Sequence, residues 1–157
     1  MIFQKKEKKL LAVADGNAIS LTKVPDEAFA SGLLGVGFAV DPSSDIVCSP
    51  VNGTLQSISK TRHAYTIQSE EGLDILVHVG IDTVDLNGEG FVCHVHEGDS
   101  LKAGDRLATV DFALLKSKGY DTLIPVLISN PEKLIGIDFT YGRVLGGKSE
   151  TARYRLS

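Results

Sequence analysis

Cysteine is scarce in this chain of 157 residues: Cys48 and Cys93 are the only two, and they sit too far apart for a zinc or redox spacing. They are compatible with one disulfide. However, the opening MIFQKKEKKLLAV lacks the long apolar stretch of a secretory signal, so both thiols are expected to stay reduced. No segment approaches the roughly 18 apolar residues of a membrane span. Positive charge is also short, with 16 Lys and Arg against 20 Asp and Glu. A sequence-independent nucleic-acid binder would carry the opposite balance. Pro/Ser-rich linkers and low-complexity segments are absent. What these absences leave is a cytoplasmic, soluble protein, neither embedded in a membrane nor built for nucleic acid. Residues 1–10 are expected to form a flexible tail, where Glu7 interrupts Lys5, Lys6, Lys8 and Lys9. Residues 11–157 read as a single domain.

Glycine, by contrast, is frequent and evenly spread, at 16 residues. The apolar runs between glycines are short: Ile46–Cys48, Leu73–Val79, Phe91–Val95, Leu107–Val110 and Leu123–Ile128. Runs of this kind, bounded by Gly, Asp, Asn and Pro, predict the strands of an all-β sandwich or barrel. Two short helices interrupt them. Pro25–Ala30 has Pro and acids at a helix start. Asp111–Gly119 has an Asp cap, late lysines and a closing Gly. Ser49–Leu55 and Val95–Leu107 carry Gly turns expected at positive φ. The second segment has the turn pattern of barrel-sandwich hybrid domains, so the expected fold is an antiparallel β-sandwich of that kind.

Thr61 to Asp82 reads as strand, tight turn at Ser69–Gly72, strand. A turn centred between Glu70 and Glu71 sets His63 directly opposite His78, where cross-strand Cβ atoms lie about 4.5–5.5 Å apart. A three-residue loop would shift that register by one. Two imidazoles so close are costly to protonate together, so at least one is expected to be neutral near neutral pH. A neutral imidazole nitrogen can attack a phosphoryl group. The second ring can stabilise the phosphate oxygens with charge or an N–H. Thr61, two residues before His63, offers a hydroxyl to fix that ring's tautomer. Gly80, just after His78, lets backbone approach a ligand. The alternative is a histidine pair that hydrogen-bonds within a sheet and performs no chemistry.

The residues around this hairpin resemble a known family. Thr61-Arg62-His63-Ala64, Leu76-Val77-His78-Val79-Gly80-Ile81-Asp82-Thr83-Val84 and Leu86-Asn87-Gly88-Glu89-Gly90-Phe91 closely resemble the glucose-type enzyme IIA domain of the bacterial sugar phosphotransferase system. So do Ala14-Asp15-Gly16, Val24-Pro25-Asp26 with Phe29, Pro50-Val51-Asn52-Gly53-Thr54, and Thr122-Leu123-Ile124-Pro125-Val126 with Ser129-Asn130. The resemblance implies a β-sandwich with its site in a shallow apolar depression. It implies that His78 accepts a phosphoryl group from the phosphocarrier protein HPr and passes it to a cysteine of a IIB domain. His63 would stabilise the phosphoryl group and Thr61 would orient His63. Asp26 and Asp82 match rim positions that meet basic residues of partners. Phe29, Leu33, Leu34, Leu76 and Val84 match the apolar docking surface, with core packing as the other reading. Regulatory target proteins are further implied partners, and no cofactor is required.

Ser59 departs from the family's pattern, standing where an apolar rim residue is common. Arg62 and Cys93-His94-Val95-His96 are also unlike it. A zinc peptidase is the rival from another class, through His78, Asp82, His94 and His96, but the spacing between the two halves of that ligand set is too short. His63 and His78 alone offer zinc two nitrogens, fewer than ordinary zinc sites use. Zinc there is expected to bind weakly unless a partner adds a carboxylate.

Overall fold

The computed structural model describes residues 7–157. Its strands are β1 (Lys8–Leu11), β2 (Gly16–Ser20), β3 (Val36–Pro42), β4 (Ile46–Cys48), β5 (Gly53–Ile58), β6 (Ala64–Ser69), β7 (Asp74–His78), β8 (Phe91–Cys93), β9 (Ser100–Leu101), β10 (Arg106–Val110), β11 (Ile124–Ile128), β12 (Leu134–Phe139), β13 (Gly142–Val144) and β14 (Glu150–Leu156). The helices are α1 (Glu27–Ala30) and α2 (Phe112–Ser117). All strand pairs are antiparallel. They form an eight-stranded sheet in the order β13-β2-β3-β11-β7-β6-β5-β9 and two three-stranded sheets, β1-β14-β12 and β4-β10-β8. The expected all-β antiparallel sandwich with two short helices is what is found.

Local chemistry accounts for the helix ends. The Asp26 carboxylate accepts from the Ala28 N–H at 2.9 Å, and Asp111 accepts from Leu114 N–H at 3.0 Å, so each caps its helix. Gly119, at φ 88°, closes α2 in the left-handed conformation that suits glycine.

Two expectations need correction. Lys8, Lys9 and Leu10 do not form a flexible tail, because Lys8–Leu11 pairs with β14 and Leu10 is fully buried. Its apolar side chain is worth more inside the core than in water. Lys8 and Lys9 meet Glu71 and Glu150 at 3.6 and 2.8 Å, while Lys5 and Lys6 lie outside the described residues. Gly53 does not sit at positive φ, although Gly98 and Gly104 do. It begins β5 so close to its neighbour that a Cβ would fall 2.2 Å from the Gln68 carbonyl oxygen. Cys48 and Cys93 are both free. They flank opposite sides of β10, two strand spacings or roughly 10 Å apart, beyond the reach of an S–S bond.

Two apolar clusters divide the packing. The main one fills the space between the sheets and includes Phe38, Tyr65, Ile67, Ile75, Val77 and Leu107, all fully buried. The smaller one lies on the other face of the large sheet. There Leu21, Val24 and Phe29 pack against Ala39, Ile81 and Leu127, with Leu76 at the margin. Strand alternation explains the division: on β7, Ile75 and Val77 point inward while Leu76 and His78 point outward. The segment carrying α1 is thereby laid beside His78.

Candidate functional site

The hairpin that brings the histidines together has a three-residue loop. Ser69 N–H donates to the Leu73 carbonyl at 2.8 Å, and Gly72 sits at φ 90°. This closes the strands with a left-handed glycine. The register therefore pairs Ala64 with His78, one residue away from the direct His63–His78 opposition expected above. His63 nevertheless reaches the outer face. It precedes β6, in a bend where Arg62 takes φ 59°, so strict strand alternation does not bind it. The bend is held by Ser59, whose Oγ accepts the His63 and Ala64 N–H groups at 3.1 Å each. The two imidazole rings stand 5.0 Å apart, edge to face at 78°.

Each ring has one nitrogen engaged. His78 Nδ1 lies 2.7 Å from the Gly80 carbonyl oxygen. A carbonyl only accepts, so Nδ1 carries the proton and Nε2 keeps its lone pair. Gly80 holds φ 79°, and a Cβ there would meet the Thr83 methyl at 2.4 Å. His63 Nδ1 lies 2.5 Å from Thr61 Oγ1 and 3.1 Å from Ser59 Oγ. Burial pushes the pKa of His63 down to about 4, and the nearby His78 adds to the effect. Burial also holds His78 below the ordinary imidazole range. The Gly80 hydrogen bond and the charges of Asp26 and Asp82 oppose that shift without cancelling it. Both rings are neutral at pH 7.

The remaining predicted residues surround the pair unevenly. Phe29 stacks obliquely on His78, with centroids 5.1 Å apart, and is only 6% exposed. It is a wall of the site in the smaller apolar cluster, which corrects its expected place on an exposed docking face. Leu33, Leu34 and Val84 are 82%, 41% and 50% exposed, while Leu76 is half-buried. Asp82 is exposed, at φ 60°, and its carboxylate caps nothing. Asp26 is half-buried at the start of α1. Ser59 and the Gly80 carbonyl were not foreseen as parts of the site. The signal for Ser59 was a hydroxyl residue four positions before His63, in a stretch that turns.

The ligands of the rival zinc site do not assemble. His94 Nε2 is hydrogen-bonded to Thr109 Oγ1 at 2.6 Å. Among the described residues, no three His, Cys, Asp or Glu side chains converge. No helix among them is long and apolar enough to cross a membrane.

Comparison with known proteins identifies the family and the fold. The family model described as phosphoenolpyruvate-dependent sugar phosphotransferase system, EIIA 1, matches residues 8–134. The glucose-specific EIIA component of Bacillus cereus is 39% identical over 136 residues, 87% of this chain and 82% of that protein. Its counterpart in Haemophilus influenzae is 39% identical over 143 residues, 91% of this chain and 86% of that protein. The glucose-specific EIICBA component of Streptococcus pneumoniae is 38% identical over 154 residues. The match takes in 98% of this chain but only 21% of that larger protein. The solved structure of glucose permease IIA from Mycoplasma capricolum is 36% identical, with a TM-score of 0.88 over 98% of this chain and 99% of that one. The family match runs through β1 to β11, both histidines included, and the chain belongs to the EIIA 1 family of the phosphoenolpyruvate-dependent sugar phosphotransferase system.

Proposed function

We propose that this chain is a cytoplasmic phosphocarrier that takes a phosphoryl group from phospho-HPr onto Nε2 of His78 and delivers it to a cysteine of a IIB domain. The observation that carries this reading is the tautomer of His78. Its Nδ1–H is committed to the Gly80 carbonyl, which leaves the Nε2 lone pair as the nucleophile beside a second neutral ring. In the first step that lone pair forms a bond to phosphorus, and the P–N bond to the donor histidine breaks, its electrons returning to the donor nitrogen. In the second step a thiolate attacks the same phosphorus and His78 recovers its lone pair. His63 supplies an N–H to the phosphoryl oxygens, and Thr61 holds His63.

Leu33, Leu34, Leu76 and Val84 offer partners an apolar face, and Asp26 and Asp82 steer basic partner residues toward it. Regulatory targets would read the same face in the unphosphorylated form. No cofactor takes part in the transfer. Zinc at the histidine pair would be weak without a carboxylate from a partner.

The test is incubation with phosphoenolpyruvate, enzyme I and HPr, followed by intact mass. One phosphoryl group should appear, stable in base and lost in mild acid, and a His78→Ala variant should gain none. Labelling of that variant to the wild-type extent would remove His78 from its role.

A further inference from the structure

We propose that Ser59 is a positioning residue that fixes the proton of His63 on Nε2, a choice that Thr61 cannot make by itself. A hydroxyl has one proton to give and two lone pairs to receive. Both lone pairs of Ser59 Oγ are taken, by the N–H groups of His63 and Ala64 at 3.1 Å each. Only its proton remains, and His63 Nδ1 lies 3.1 Å away. Ser59 must therefore donate to Nδ1. A nitrogen that accepts is unprotonated, so the single proton of the neutral ring resides on Nε2.

Thr61 is closer to the same nitrogen, at 2.5 Å, but its hydroxyl can donate or accept. It orients the ring without selecting a tautomer. Were the proton on Nδ1, it would point at both hydroxyls, and the Ser59 proton would be left facing another proton. The same oxygen thus shapes the bend and sets the polarity of the ring within it. The consequence for phosphoryl transfer rests on the function proposed above. An Nε2–H gives a hydrogen bond to an oxygen of a phosphoryl group on His78, whereas a bare Nε2 would present a lone pair to a dianion.

The experiment uses imidazole ¹⁵N chemical shifts of the full chain, unphosphorylated, at a pH where both rings are neutral. Wild-type His63 should show the Nε2–H tautomer. Ser59→Ala should give a mixture of tautomers. Ser59→Asp keeps oxygens for the two backbone N–H groups but can only accept from Nδ1, so it should move the proton there. Ser59→Thr should restore the wild-type pattern. Phosphoryl transfer to a IIB partner should fall by up to about tenfold in Ser59→Ala, the weight of one hydrogen bond, and recover in Ser59→Thr. If Ser59→Ala and Ser59→Asp both keep the Nε2–H tautomer, Ser59 is only a backbone latch and the proposal fails. Because the tautomer is read without any phosphoryl donor, a wild-type protein that accepts no phosphate would overturn the function and leave the Ser59 result standing.

Discussion

His63 is 8% exposed and gives up its proton near pH 4, because burial and the adjacent His78 both penalise a positive ring. In the unfolded chain the same residue titrates near 6.5. Between those values the unfolded state binds more protons, so folding stability must fall as pH drops through that window. Burial of His78 acts in the same direction. Equilibrium unfolding from pH 7.5 down to 4 should show this loss, and His63→Gln should flatten part of it. An unchanged slope in that variant would place the acid sensitivity elsewhere. The same variant separates the roles of the two rings. With the nucleophile intact, His63→Gln should still accept phosphate at His78 but pass it on more slowly, because an amide supplies a hydrogen bond and no proton. Complete loss of acceptance in a folded protein would contradict that division. Thr61, His63 and His78 were legible in the sequence through the strand, glycine turn, strand pattern, although His63 shares a face with His78 only because the bend at Arg62 frees it from the shifted register. Ser59 was not, because its contacts depend on the bend at Arg62, which no periodicity announces.

At the scale of elements, the hairpin shows how far a pattern reaches. Alternation identified both strands and their outward faces, but the loop between Ser69 and Leu73 decided the register, and it is one residue longer than a two-residue turn. The caps of α1 and α2 were readable because Asp26 and Asp111 satisfy backbone N–H groups within a single turn. The packing of α1 was not, since Phe29 and Leu34 are similar residues with opposite fates. Phe29 closes the smaller apolar cluster and Leu34 faces solvent. Phe29→Ala should therefore cost about 3–5 kcal/mol of stability. Leu34→Asp should change stability by no more than about 0.5 kcal/mol while weakening the interaction with HPr, which surface binding and thermal denaturation would measure together. A Leu34→Asp protein that unfolds would make Leu34 part of the core, and one that binds HPr normally would redraw the docking face.

Across the whole molecule, the chain's two ends complete a sheet that lies apart from the histidines. β14 sits between β1 and β12, burying Ala152 and Tyr154, and Thr151 Oγ1 donates to the Leu10 carbonyl at 3.0 Å. The family match stops at residue 134, yet the structure makes the segment beyond it integral. A chain ended at residue 134 should lose the cooperative melting transition of the full chain, because β1 would lose its strand partner and Leu10 its cover; equal melting temperatures would show that sheet to be dispensable. The large sheet, by contrast, holds the strand of His78 between β6 and β11 and leaves its outer face to α1 and the site. All of these features converge on one atom, Nε2 of His78. The most direct test is NMR of the phosphorylated protein with ¹⁵N-labelled histidine. A ³¹P–¹⁵N coupling to Nε2 of His78, with Nδ1 still protonated, is the predicted result. A coupling to Nδ1 of His78 or to either nitrogen of His63 would contradict it.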